Sequence, residues 1–457
     1  MKKIYLLTWL WILVFGTVSR IPAKAAIDPA LDSTLQHCID SLLAYYQMKG
    51  ISAAAYIPGQ GMWQGVTGVS HATVPIDTDM IFSMGSITKT FIATEIFKLI
   101  DAGQLTLEDT IGSLLPPMDY VRGDIKIRHL LQHKSGLAEY LGMDWQNAMF
   151  ADPYRIWSGA EALDSFLTPA TGAPGAPYYY RNTNYVLLGM VIETLTGDSL
   201  HHVLRNNLFT PLNLDDTYMY VFDSYPNPVP HMWSAPNFDP NLATDSWNNP
   251  RISASSSTSA PGGLYATAED LAWWGYNLYS GNVISTASLN DMLSFVTVNA
   301  SYYNGYGLGS MRFPFNGRTY WGHAGNFWGY ASCMAYYPQD SISVAVLINI
   351  DSYGSSVCMP LIDAIVNQLT TDIKSDKIEN AFTLYPNPAS SQVAVCSGQL
   401  AIESIEIFNS IGTEMKTKTI STDLNKMIVD ISDFYPGIYF VRVHTVNGSE
   451  VRKLIVE

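Results

Sequence analysis

Cysteine is scarce in this chain, 4 in 457 residues, so no disulfide framework holds it together. Positive charge is scarce as well: 25 Lys and Arg stand against 40 Asp and Glu, and the formal net charge is −15. Gripping a phosphate backbone takes clustered basic residues, which excludes a nucleic-acid binder. Long apolar runs are missing beyond residue 18, so no transmembrane span is expected in the mature protein. Apolar material itself is plentiful. The chain is 47% hydrophobic and 12% aromatic, enough to exclude disorder and to build a large core. Its length fits one large domain with something smaller attached.

The two ends differ in character from the middle. Lys2 and Lys3 precede an apolar run over residues 4–18, followed by Ala23-Lys24-Ala25. A spanning helix needs about 20 apolar residues, so this shorter run predicts a secretory signal peptide over residues 1–25. The cysteines, Cys38, Cys333, Cys358 and Cys396, read as small buried hydrophobes. The one pairing with a rationale joins Cys38, in the first helical segment, to Cys358, in the last helix of the main domain.

Residues 374–380 (KSDKIEN) are polar and charged, as a linker between a 26–373 domain and a 381–457 domain would be. Beyond them come short alternating runs at 392–395, 402–408, 427–431, 438–443 and 451–456, punctuated by Pro436-Gly437 and Asn447-Gly448. That pattern predicts a small all-β sandwich, which composition alone would fit to an adhesion or carbohydrate-binding module. The wording is more specific. Leu384-Tyr385-Pro386-Asn387-Pro388, Ile405-Glu406-Ile407-Phe408-Asn409, Pro436-Gly437-Ile438-Tyr439-Phe440-Val441 and Lys453-Leu454-Ile455-Val456-Glu457 resemble the type A C-terminal sorting domain of the type IX (Por) secretion system. The resemblance implies a Bacteroidetes-type protein carried through periplasm and outer membrane, secreted or attached to the surface. The partner of residues 381–457 would be the secretion machinery.

Between the ends, helical segments are expected at 29–48, at 355–370 and from the stretch that opens at Phe82 on to Ala102, and strands at 52–57, 61–69, 319–322, 329–337 and 341–350. Helices at both ends, strands flanking and a helical insert give an α/β (α+β) arrangement: an antiparallel sheet with flanking helices plus a helical lobe. Three short motifs carry chemistry. Ser86-Ile87-Thr88-Lys89 opens a helix and places an amine one turn from a hydroxyl, the spacing of a serine nucleophile and its base. Tyr180-Arg181-Asn182 supplies a phenol to move a proton and an amide to hold lysine and a substrate carbonyl. His323-Ala324-Gly325, on an expected edge strand, lets substrate approach the backbone at Gly325. The N–H groups of Ser86 and Asn326 could then form an oxyanion hole.

Taken in order, these motifs resemble the serine β-lactamase and penicillin-binding-protein superfamily, closest to the class C-like branch with D-Ala-D-Ala carboxypeptidases, D-aminopeptidases and esterases. Landmarks at residues 127–137, 211–214, 261–271 and 305–309 extend the resemblance over about residues 30–370. It implies a β-lactamase/transpeptidase-like fold, Ser86 as acylated nucleophile, Lys89 as proton acceptor, Tyr180 as proton relay, and Asn182, His323, Gly325 and Asn326 as substrate contacts. Neither metal nor cofactor is implied. The substrate would be a small molecule or peptide with an amide or ester bond. His323 stands where β-lactamases usually carry lysine, so a carboxypeptidase- or esterase-like activity is expected over efficient β-lactam turnover. A catalytically weak penicillin-binding or sensor module is the alternative. His129 and His133 are four apart on an expected helix, but no Glu lies between them and no metal pair is predicted. Residues 225–259, rich in Pro, Asn and Ser and including Trp247, read as a long loop. Trp321 and Trp328 flank His323 and predict an aromatic cleft.

Overall fold

The structure is a computed structural model that describes residues 27–234, 243–246, 249–351, 354–378, 382–397, 402–409, 414–423, 426–445 and 448–457. The expected signal peptide and Trp247 lie outside the described residues. The chain divides into two compact units, residues 1–368 and 369–457.

In the first unit a nine-stranded sheet is assembled from both ends of the unit. Its strands are β1 (Gly50–Ile57), β2 (Gly61–His71), β3 (Val74–Pro75), β4 (Val296–Thr297), β5 (Gly305–Tyr306), β6 (Met311–Phe315), β7 (Arg318–Phe327), β8 (Tyr330–Tyr337) and β9 (Ile342–Ile348). The order across the sheet is β3-β2-β1-β9-β8-β7-β6-β5-β4, antiparallel at every pairing. Strands β1, β8 and β9 are buried almost throughout, which is the pattern of a sheet covered on both faces. Successive side chains of β8 show the two coverings. Met334 lies where a side chain on Gly275 of α5 (Ala268–Tyr279) would go, and Cys333 Sγ lies 3.9 Å from Met359 Sδ of α6 (Cys358–Ile378). The remaining helices named here are α1 (Pro29–Tyr45), α2 (Thr88–Asp101), α3 (Ile127–Leu131) and α4 (Thr183–Thr196). Helix α2 is buried from Thr88 to Phe97 and is the hub on which the helical lobe packs.

Four expectations change. Helix α6 runs on to Ile378, through most of the stretch expected to be a linker. All four cysteines are free, so the Cys38–Cys358 pair is not formed. Helix α3 ends at Leu131, leaving His133 outside it with a left-handed backbone, φ 56°. Residues 225–259 are not all loop, because Arg251–Ser257 is a helix. Its polar composition hid it. Ser253, Ser255, Ser256 and Ser257 are buried, and the Trp157 and Trp145 indoles donate to Ser253 Oγ at 2.9 Å and Ser257 Oγ at 3.0 Å. Buried hydroxyls with partners of this kind cost little.

The second unit is a β-sandwich of two four-stranded antiparallel sheets, with Val393, Val395, Ile407, Val429, Val441, Val443 and Leu454 in its core. The five expected runs are all strands; Phe382–Tyr385, Glu414–Met415 and Lys418–Asp423 add to them. Among the described residues, no helix is long and apolar enough to cross a membrane.

Candidate active site

The polypeptide enters the site through a tight turn. Gly85 has φ 49°, and a Cβ there would fall 2.9 Å from the Asn326 backbone nitrogen, so only glycine lets the turn abut β7. Gly325 answers from the strand: a Cβ there would fall 2.1 Å from the Met84 carbonyl oxygen and 2.9 Å from the Ser86 nitrogen. Ser332 on β8 donates to the same Met84 oxygen at 2.8 Å and pins the turn. Strand β7 is not an edge strand, since β6 pairs with it, but that pairing stops at Gly322. From His323 to Phe327 only β8 pairs with it, and the bare side meets the turn Gly85–Ile87 that leads into α2.

Ser86 is the one residue from 80 to 97 that is not buried. Lys89, one turn on, is wholly buried. Its Nζ lies 3.0 Å from Ser86 Oγ, 2.8 Å from Asn182 Oδ1 and 2.8 Å from the Pro261 carbonyl oxygen. Burial pushes its pKa down to about 7, against an opposing pull from Glu139. Glu139 also orients Asn182. Its Oε2 accepts from the Asn182 backbone N–H at 2.7 Å and from Nδ2 at 3.2 Å, which turns the amide oxygen to the lysine. The Tyr180 ring lies 4.9 Å from Lys89 Nζ. Its buried hydroxyl has no hydrogen-bond partner of ordinary geometry among the described residues. Burial holds the Tyr180 pKa well above the ordinary phenol, against a smaller pull from Ser86.

His323 is placed otherwise than expected. It is 0% exposed, its Nδ1 lies 2.7 Å from the Ala324 carbonyl oxygen, and its Nε2 lies 3.2 Å from the Tyr306 hydroxyl. Neither nitrogen is left for a substrate. Burial, then Lys89, lowers its pKa to about 3, so it is neutral. The aromatic cleft also shifts. Trp321 packs against Tyr279 and Tyr336, whereas Trp328 packs against Trp145 and Phe150, ring centroids 5.5 and 5.7 Å apart. Phe150 is 53% exposed, which leaves an apolar wall with Trp328 beside the bare end of β7. Among the described residues no group of three His, Cys, Asp or Glu is placed to hold a metal.

Residues 35–360 match the Beta-lactamase family. The chain belongs to that family. Residues 383–457 match the secretion system C-terminal sorting domain, so the chain also carries a Por sorting domain, which marks it for export by type IX secretion. Among curated relatives of this Beta-lactamase-family chain, Penicillin-binding protein 4* of Bacillus subtilis (strain 168) is 27% identical over 315 residues, 66% of this chain and 68% of that one. The chain spans about half the length of other curated relatives. The D-amino acid amidase of Ochrobactrum anthropi SV3 superposes with TM-score 0.66 at 22% identity over 75% of this chain and 99% of that one. A D-stereospecific amidohydrolase from Streptomyces sp. gives 0.61 at 27% identity over 74% and 97%. The first unit therefore belongs to the β-lactamase-like serine hydrolase family, whose members similar to this chain include an esterase, EstB of Burkholderia gladioli, and the fold is that of the D-amino acid amidase.

The motifs Ser86, Lys89, Tyr180 and Asn182 come together in one place. Glu139, the Pro261 carbonyl, His133 and Tyr306 join them, and sequence reasoning did not assign them. His133, Pro261 and Tyr306 fall inside the family landmarks at 127–137, 261–271 and 305–309, which was the one available signal.

Proposed function

We propose that this protein is an exported serine hydrolase that cleaves amide or ester bonds through an acyl-enzyme on Ser86. The observation that carries the reading is a buried lysine, with its pKa pushed to about 7, within 3.0 Å of a solvent-reaching serine. Near neutral pH about half of such a lysine is the free amine, able to take the Ser86 proton as Oγ bonds to the substrate carbonyl carbon. The carbonyl oxygen becomes an oxyanion at the Ser86 and Asn326 N–H groups. Tyr180 stays protonated and gives its proton to the leaving nitrogen or oxygen as that bond breaks. Water then attacks the ester carbon and gives a proton to the Tyr180 phenolate; the bond to Ser86 Oγ breaks as Lys89 returns the proton to that oxygen, and the acid product leaves.

The neutral His323 offers no charge to a substrate carboxylate, and Glu139 is a carboxylate beside the site. Both disfavour substrates that present a free carboxylate beside the bond. The wall of Trp328 and Phe150 favours a bulky apolar group on one side of the bond. Together with the amidase relatives, this points to D-amino-acid amides or apolar esters over β-lactams. The test is intact-mass detection of a fluorophosphonate adduct, followed by a screen of D-amino-acid amides, D-Ala-D-Ala peptides, short esters and nitrocefin. One adduct per chain, lost in Ser86→Ala, is expected. Folded protein that forms no adduct would leave a non-catalytic binding module instead.

A further inference from the structure

The reacting groups of this site sit on two separate parts of the chain. Ser86 and the Asn326 amide lie where the turn meets β7, whereas Tyr180 and Asn182 lie on the segment entering α4. Three side chains outside the reacting set bridge them. Ser135 Oγ donates to Asn184 Oδ1 at 2.5 Å, which leaves Asn184 Nδ2 to donate to His133 Nδ1 at 3.0 Å. The Arg181 N–H donates to the same nitrogen at 3.1 Å. A nitrogen that accepts twice carries no proton, so neutral His133 is protonated at Nε2 and donates to the Tyr306 hydroxyl at 3.1 Å. From the other side, His323 Nδ1 faces a carbonyl, which only accepts, so that ring holds its proton at Nδ1. Its Nε2 then accepts from Tyr306 at 3.2 Å. Every donor and acceptor in the chain is fixed, and His133, Tyr306 and His323 are all buried. The His133 ring in turn lies against the Tyr180 ring, centroids 4.3 Å apart.

We infer that Tyr306 is a positioning residue: its hydroxyl, receiving from His133 and giving to His323, holds the Tyr180 segment in register with the strand that carries the Asn326 amide. The inference rests on the hydrolase reading above. The Tyr185 hydroxyl also borders that of Tyr306, but it gives its proton to the Leu131 carbonyl at 3.1 Å and cannot take over either imidazole's role in full. A hydroxyl held between two neutral imidazoles therefore favours one separation, because lengthening either hydrogen bond weakens the pairing of buried polar groups. Register errors of about 1 Å between reacting groups cost on the order of a hundredfold in rate.

Tyr306→Phe removes the hydroxyl and keeps the ring. With a substrate that the wild type turns over, kcat is expected to fall about tenfold to a hundredfold while KM stays within about twofold. His133→Gln keeps a donor for Tyr306 and an acceptor for Arg181, so it should retain several times the kcat of His133→Leu. Thermal unfolding of each variant shows that the assay is made on folded protein. Folded Tyr306→Phe with wild-type kcat, or with a loss confined to KM, overturns the inference. If that variant does not fold, equal kcat in the two His133 variants overturns it. Wild-type protein that never acylates at Ser86 removes the hydrolase reading and the inference with it; acylation at a rate shared by wild type and variants removes the inference alone.

Discussion

At the scale of single residues, one desolvated amine decides the chemistry. Burial pushes the Lys89 pKa down to about 7 and holds that of Tyr180 far above, so in the proposed reaction the two would divide into base and acid. The rate of Ser86 acylation should therefore rise with pH through a single ionisation near 7 and stay flat to about pH 9, as stopped-flow measurement with an ester would read. Glu139 raises the Lys89 pKa, so Glu139→Gln should move that rise to lower pH; an unmoved or alkaline-shifted rise would contradict the assignment. Most of the reacting set was legible in the sequence, since Ser86 with Lys89 and Tyr180 with Asn182 are short-range patterns that geometry makes meaningful. The rest was not. The Pro261 contact is a backbone carbonyl, which any residue possesses, and Glu139 meets Asn182 across 43 residues that no local pattern spans. His323 was visible by position, but the direction of its ring depends on Tyr306, so its burial could not be read from its identity.

At the scale of elements, the turn Gly85–Ile87 and strand β7 are pressed together without room for a methyl group. Gly325→Ala would drive Cβ into the Met84 carbonyl, and acylation is expected to fall at least about a hundredfold. A variant that labels with fluorophosphonate at the wild-type rate would show that the close approach is not needed. The apolar wall belongs to the same scale, since the end of β7 and the helix Met143–Ala151 make it jointly. Trp328→Ala should raise KM several-fold for bulky apolar substrates and leave small acetyl esters nearly unchanged. Strands β1, β2, β8 and β9 and helices α1 and α6 followed from alternation and helical periodicity, whereas the short strands β3 to β6 and the covering helix α5 were not among the expected elements. Nor was helix Arg251–Ser257, because its buried serines are matched by indoles from distant segments, a pairing that hydropathy cannot represent.

At the scale of the molecule, buried titratable groups make stability depend on pH. Asp270 is pushed up to about 8 by burial and accepts from Asp216 N–H and the Thr217 hydroxyl, each at 2.9 Å. Its folded pKa exceeds its unfolded one, so its contribution is complete below about pH 4 and is lost as pH rises to about 8. His133 and His323 have depressed folded pKa values. What they contribute is present above about pH 6.5 and is lost as pH falls. Lys89 also runs against Asp270, because its folded pKa is depressed to about 7 and its contribution grows as pH rises above that. The Asp270 contribution is therefore read as a difference: the urea stability of the wild type minus that of Asp270→Asn should fall with pH between about 4 and 8, by up to about 1.4 kcal/mol per pH unit. A difference that does not change with pH would remove Asp270 from that account.

The order of strands in the main sheet has a kinetic consequence. Strand β1 is paired on one side by β2, made at once, and on the other by β9, with Ile51 opposite Ile348. Nearly the whole catalytic unit must be synthesised before the middle of its sheet can close, which makes folding slow and dominated by distant contacts. Until then β1 presents a bare apolar edge, the kind of surface on which chains join one another. A fragment ending before Ile342 should therefore aggregate even though it holds Ser86, Lys89, Tyr180 and Asn182.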